Sequence, residues 1–183
     1  MANLKIGELA PDFELPNQNG DLIKLSDYAG QNVLVWFFPR AYGGGWTNEA
    51  KGFRDRTQGL SEQNTTPIGI TFSLPEELKR WSEDNALTGD FLSDQSRSVA
   101  ISYGAVETKD QERPKRMSYL LGPDMKILKI YETPEAAIHP AEVLKDLTWY
   151  QERLWQTIGL VKWCLTSRNL VMWAVGALIE NLF

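Results

Sequence analysis

Cysteine and histidine are nearly missing from this chain: Cys164 and His139 each stand alone among 183 residues. A single cysteine excludes an internal disulfide framework and any C-x-x-C redox or zinc motif. One histidine with no Cys/His cluster leaves a zinc or haem site without ligands, so no metal and no cofactor are expected. No uninterrupted apolar run reaches the ~20 residues that cross a bilayer. The opening Met-Ala-Asn-Leu-Lys-Ile-Gly lacks the apolar core of a secretory signal, so the chain reads as intracellular. A basic excess is absent too. The 24 acidic and 19 basic residues give a net charge of −5 and are mixed along the sequence. Phosphate neutralisation needs a basic face, so nucleic acid is excluded as a general partner. There is no internal repeat and no low-complexity tract.

What is present is a globular composition, 43% hydrophobic and 23% charged, long enough to bury a full core. Through residue ~135 strand-like and helix-like patterns alternate, the signature of an α/β domain with a mainly parallel sheet. Asn32 to Phe38 is a continuous apolar run bounded by Gly30 and Pro39, which reads as a central strand buried on both faces. Pro67 to Phe72 and Met117 to Leu121 read as further strands. Gly122-Pro123-Asp124 is a turn, and Lys126 to Tyr131 returns antiparallel. Helices are expected over Thr47 to Gly59, with Thr47 and Asn48 as caps and Glu49 in the first turn. A second is expected from Ser73, as capping serine, to about Asn85, and a short third over Ser96 to Tyr103.

From Pro140 the pattern changes. Val143, Leu147, Tyr150, Leu154, Ile158, Val161 and Leu165 recur at spacings of three and four, one stripe of a long amphipathic helix. Ser167-Arg168-Asn169 interrupts it, and Leu170 to Phe183 is apolar almost all round. Trp149, Trp155, Trp163 and Trp173 lie in this tail, four of the seven tryptophans.

The ordered motifs resemble a known family. Gly7-Glu8-Leu9-Ala10-Pro11-Asp12-Phe13-Glu14-Leu15-Pro16 is similar to the G-x-x-A-P-x-F-x-L-P opening of the peroxiredoxins of the thiol-specific antioxidant type. Leu25-Ser26-Asp27-Tyr28-Ala29-Gly30, Phe91-Leu92-Ser93-Asp94, Tyr103-Gly104 and Ser118 to Asp124 follow in the family's order, and His139 to Leu147 is similar to its H-A-x-x-V-L ending. The likeness is nearest to the peroxiredoxin Q, or bacterioferritin-comigratory, subgroup. It implies an α/β fold of the thioredoxin-like kind, a central mixed sheet flanked by helices, over residues 1–148, with residues 149–183 as a Trp-rich helical extension.

The active-site segment departs from that pattern. The family's P-K-A-x-T-P-G-C-T-x-E is met by Pro39-Arg40-Ala41-Tyr42-Gly43-Gly44-Gly45-Trp46-Thr47-Asn48-Glu49. The resemblance places Trp46 at the peroxidatic cysteine, Gly43 at the threonine that holds the peroxide and Lys51 at the resolving position. Pro39, Thr47 and Glu49 are retained, and Arg116 matches the distal arginine. Peroxiredoxin chemistry needs a thiolate at a helix N-terminus, attacking a peroxide held by hydroxyl, backbone N–H groups and arginine. An indole is not such a nucleophile. Catalytic residues are therefore expected to be absent, and the chain is expected to be a catalytically inactive peroxiredoxin-like binding or structural subunit. The alternative is a thiol peroxidase using Cys164 or an atypical site.

Each residue also carries a plainer reading. Cys164 reads first as a small buried hydrophobe. Arg116 is either a relic anion site or a partner for Glu49, the second being the simpler. The triple glycine lacks the lysine and Ser/Thr of a phosphate loop and reads as a bend around Trp46. Trp46 is either a plug or an exposed aromatic anchor, and His139 a surface or capping residue. Apolar surface on the scale of the tail must be covered. Docking on a protein partner through Trp149, Trp155, Trp163, Trp173, Leu178 and Phe183 is the first expectation, with a homodimer among its forms. A membrane interface is the second.

Overall fold

The structure is a computed structural model that describes residues 4–166, with side chains through residue 153. It divides into two compact units, Met1–Leu144 and Lys145–Phe183. The first carries strands β1 (Glu14–Pro16), β2 (Leu22–Lys24), β3 (Asn32–Phe37), β4 (Thr65–Thr71), β5 (Asp90–Ser93), β6 (Met117–Leu121) and β7 (Ile127–Glu132). Helices α1 (Gly44–Arg54), α2 (Thr57–Glu62), α3 (Pro75–Asp84) and α4 (Ser98–Ser102) lie between them, and α5 (His139–Thr166) follows.

Five strands form one mixed sheet in the order β5-β4-β3-β6-β7. β3 runs parallel to β4, opposing Val35 to Ile68, and antiparallel to β6, opposing Val35 to Tyr119. β1 and β2 make a separate antiparallel pair. The fold is thus the expected α/β one, a mixed sheet flanked by helices.

β3 is central because both its faces are apolar. Val33, Val35 and Phe37 join one core with Ile68, Ile70, Leu92, Tyr103 and Tyr119. Trp36 and Phe38 face the other way, their rings stacked 4.7 Å apart, and Phe38 stacks on Trp81 of α3 at 5.2 Å. Gly69 of β4 sits beneath them. A side chain there would come within 3.0 Å of both the Phe38 and Trp36 rings, so glycine is what lets the aromatic layer lie flat on the sheet.

Several local expectations are revised. The single helix expected over Thr47 to Gly59 is two. α1 begins at Gly44 with Gly43 as its N-cap, so Thr47 and Asn48 lie inside the helix and Glu49 lies past its first turn. It stops at Arg54, whose carbonyl accepts a bond from the Thr57 hydroxyl at 2.7 Å, and α2 starts afresh at Thr57. Ser73 does not cap α3. Leu74 is the N-cap, and the Glu77 carboxylate reaches back to its N–H at 3.2 Å. α4 spans only Ser98–Ser102.

In the second unit, Trp149 is 48% exposed, with the Tyr150 ring at 4.9 Å and the Arg153 guanidinium over it at 4.7 Å. The side chains of Trp155, Trp163 and Cys164 on α5, and the whole of Trp173, Leu178 and Phe183 with the expected break at residues 167–169, lie outside the described residues. Among the described residues no helix is long and apolar enough to cross a membrane.

Candidate functional site

The parallel strands β3, β4 and β5 end side by side, and the loops leaving them are tied together through Ser73. Its hydroxyl accepts the Ala41 N–H at 3.0 Å, and its carbonyl accepts the Ser93 hydroxyl at 2.7 Å. Clefts in parallel α/β sheets form at these carboxyl ends of the strands. Here the loop after β3 carries half-buried Pro39, exposed Arg40, buried Ala41 and then Tyr42, whose backbone is left-handed (φ 57°) and whose hydroxyl donates to Asp84 at 2.7 Å. That turn delivers Gly43 to the N-terminus of α1.

Trp46 folds back over this terminus. A Cβ placed on Gly43 would lie 1.6 Å from Trp46 Cζ2 and 1.8 Å from Cε2. The indole therefore occupies the volume that any side chain at position 43 would need. Gly43 is required by Trp46 rather than by its own backbone, which is extended (φ −109°, ψ 140°). Gly44 has nothing within 4 Å, and Gly45 meets only Ala136 at 3.9 Å, so one of the three glycines accommodates the ring. Trp46 is half-buried, while its Nε1 is fully buried with no acceptor among the described residues.

One turn on, Glu49 is the centre of a buried polar cluster. It is 2% exposed, and each of its oxygens has its own partner. Oε2 accepts from Arg116 Nη2 at 2.8 Å, and Oε1 lies 2.7 Å from His139 Nδ1. Arg116 stands at the start of β6, with its side chain one quarter exposed and its Nε buried without an acceptor among the described residues. It also lines a cleft of about 300 Å³ with Tyr103, Lys115, Met117 and Glu132. Thr47, on the adjacent face of α1, accepts the Trp81 indole N–H at 3.0 Å. Lys51 is half-buried further along α1.

The fold thus gathers Pro39, Gly43, Trp46, Thr47, Glu49 and Arg116 around the N-terminal half of α1. His139, expected at the surface or as a cap, is corrected: it is 0% exposed, edge-on to Phe53 at 5.6 Å and Tyr131 at 4.9 Å. The available signal was Glu49 itself, because a carboxylate in the buried face of a helix needs more than one partner. Chemically, the site offers a guanidinium held by a carboxylate, beside a helix N-terminus covered by an indole. No cluster of metal ligands occurs among the described residues.

Comparison with known proteins extends this picture. The AhpC/TSA family pattern matches residues 6–130. Peroxiredoxin Bcp of Escherichia coli K12 is 34% identical over 157 residues, 83% of this chain and 99% of that protein. Peroxiredoxin Bcp of Bacillus subtilis is 27% identical over 155 residues, 82% and 99% of the two chains. Among solved structures, Peroxidoxin BcpB from Mycobacterium tuberculosis superposes with a TM-score of 0.74 at 27% identity, covering 80% of this chain and 97% of its own. A serine mutant of Xylella fastidiosa PrxQ, at 19% identity, shares the fold with a TM-score of 0.76, covering 82% and 99%.

These relatives correct two expectations, that the chain is a catalytically inactive binding subunit and that it is not an enzyme. The relatives that it covers along 99% of their own length carry an enzyme's name, and they favour the alternative, a thiol peroxidase. The inactive reading rested on the residues at three positions, Trp46, Gly43 and Lys51. The pair between Arg116 and Glu49 is formed, at 2.8 Å. The chain belongs to the AhpC/TSA family, in the Bcp/Q subgroup of the peroxiredoxins.

Proposed function

We propose that the chain is a thiol peroxidase working in a one-cysteine cycle through Cys164, its only thiol. The observation that carries this reading is the 34% identity to a peroxiredoxin along 99% of that protein's length. Arg116, held by Glu49 at 2.8 Å, supports it as a position that matches the family's frame. In the reaction the thiolate of Cys164 attacks the distal peroxide oxygen and the O–O bond breaks. The sulfur is oxidised to a sulfenic acid while the peroxide leaves as an alcohol or water. With no second cysteine in the chain, two equivalents of an external thiol return the sulfenic acid to the thiol, releasing water and a disulfide of that reductant. A lone, unpaired cysteine suits a reducing, intracellular compartment, which is the proposed setting.

The test is consumption of hydrogen peroxide and cumene hydroperoxide with a thiol reductant, in the intact chain and in Cys164→Ser. Turnover above the buffer rate that disappears in the serine variant is expected. No turnover, or turnover indifferent to the substitution, overturns the reading. We propose separately that residues 149–183 are an appended docking segment for a protein partner. Trp149, half exposed on α5, is the described residue that supports it.

A further inference from the structure

We infer that His139 is a positioning residue: through Glu49 it fixes the Arg116 guanidinium, whose accessible N–H groups are then set as donors for substrate oxygen. This rests on the peroxidase reading only in naming a hydroperoxide as that substrate.

Glu49 and His139 are 2% and 0% exposed, and a buried carboxylate with only one partner is a costly arrangement. Arg116 satisfies Oε2 alone, and His139 satisfies Oε1. Because the carboxylate accepts on both sides, Nδ1 is the protonated nitrogen that donates. Two-point attachment sets the plane of the carboxylate, and that plane sets where Nη2 of Arg116 lies. The imidazole is itself held edge-on against Phe53 and Tyr131, and its other nitrogen has no partner among the described residues. An apolar side chain would fill the same space against those rings, so packing does not account for a histidine there. A donor aimed at Glu49 does. With one Nη2 hydrogen committed to Glu49, the remaining N–H groups of the one-quarter-exposed guanidinium, which lines the cleft with Tyr103 and Glu132, are the donors left for a ligand.

The chain has one histidine, so ¹⁵N-histidine labelling gives a single imidazole to read. Nδ1 is expected to carry a proton in the intact chain, and a spectrum with only Nε2 protonated overturns the inference whatever the variants do. His139→Asn sets an amide N–H near the Nδ1 position, whereas His139→Gln sets it near Nε2. The Arg116 Nε–H resonance, identified by its loss in Arg116→Lys, is expected to stay in place in the Asn variant and to shift in the Gln variant. Two variants that behave alike overturn the inference. The KM for cumene hydroperoxide is expected to rise on the order of tenfold in His139→Gln and to return to within about twofold in His139→Asn. Equal KM values in all three proteins overturn the link to substrate. An intact chain without hydroperoxide turnover would instead sink the peroxidase reading, and the two resonance measurements would still decide the role of His139.

Discussion

Gly43 and Trp46 behave as one unit, because the indole fills the space above the glycine. Gly43→Thr alone is therefore expected to destabilise the protein by about 1–3 kcal/mol, the usual cost of overpacking, read as a lower urea midpoint. Combined with Trp46→Cys the penalty should vanish, since the ring that was struck is gone, and the pair should be strongly non-additive. The introduced thiol would stand at the N-terminus of α1 with a hydroxyl beside it. It should consume peroxide at least about tenfold faster than the Trp46→Cys protein lacking that hydroxyl. Additive stability effects would show that the ring and position 43 do not share this space. The glycine and the tryptophan were visible in the sequence, but their interdependence was not. Residue identities three apart say that two side chains share a helix face, not that one lies across the other's Cα.

At the level of elements, α1 and α2 approach the start of α5 through glycines. A Cβ on Gly52 would meet Pro140 Cγ at 2.8 Å, and one on Gly59 would meet Leu144 at 3.1 Å. Two effects oppose each other in Gly52→Ala: a gain in helix propensity of ~0.5–1 kcal/mol and a clash with a rigid ring worth ~1–3 kcal/mol. The clash wins, and a net loss of about 1 kcal/mol is expected in urea denaturation. Gly44→Ala, with open space around it, should be neutral or slightly stabilising. A stabilised Gly52→Ala protein would mean that Pro140 yields. The strands could be read from apolar runs such as Asn32 to Phe38, because burial on both faces writes itself into composition. Helix boundaries could not. Gly43 offers no side-chain acceptor to mark the start of α1, and the break between α1 and α2 is made by the Thr57 hydroxyl on the Arg54 carbonyl and by the Arg56 N–H on that of Phe53. His139 escaped for a similar reason, since a partner ninety positions away on another helix leaves no local spacing to read.

For the molecule as a whole, phenols withdrawn from water make stability depend on alkaline pH, the half-buried Tyr28 and the buried Tyr103 and Tyr119 all being pushed up by burial. Burial and the neighbouring Asp90 push Tyr28 from 10.0 up to about 12. Burial, with Glu132, does the same for Tyr119. These groups stay neutral in the folded chain at a pH where the unfolded chain ionises. Their contribution is therefore intact below pH ~10 and is lost as pH rises from there through about 12. Urea midpoints are expected to be level up to pH 9 and clearly lower at pH 11, with a shallower fall in Tyr28→Phe. A midpoint unchanged at pH 11 would contradict this. Deleting residues 149–183 is expected to leave the Met1–Leu144 unit folded, with a cooperative urea transition, and to abolish capture of any protein partner. A truncated chain that fails to fold would make the tail part of the core and remove the docking proposal.

The order of strands in the sheet also sets a timetable for synthesis. β3 pairs on one side with β4, which follows soon after it, and on the other with β6, at Met117–Leu121. At ~5–20 residues per second on the ribosome, one edge of the most apolar strand in the protein waits roughly several seconds for its partner to be made. During that interval Val33, Val35 and Phe37 present an unpaired strand edge of the kind that recruits other chains. The newborn N-terminal half is therefore the stage at which this chain is expected to be most exposed to wrong pairing.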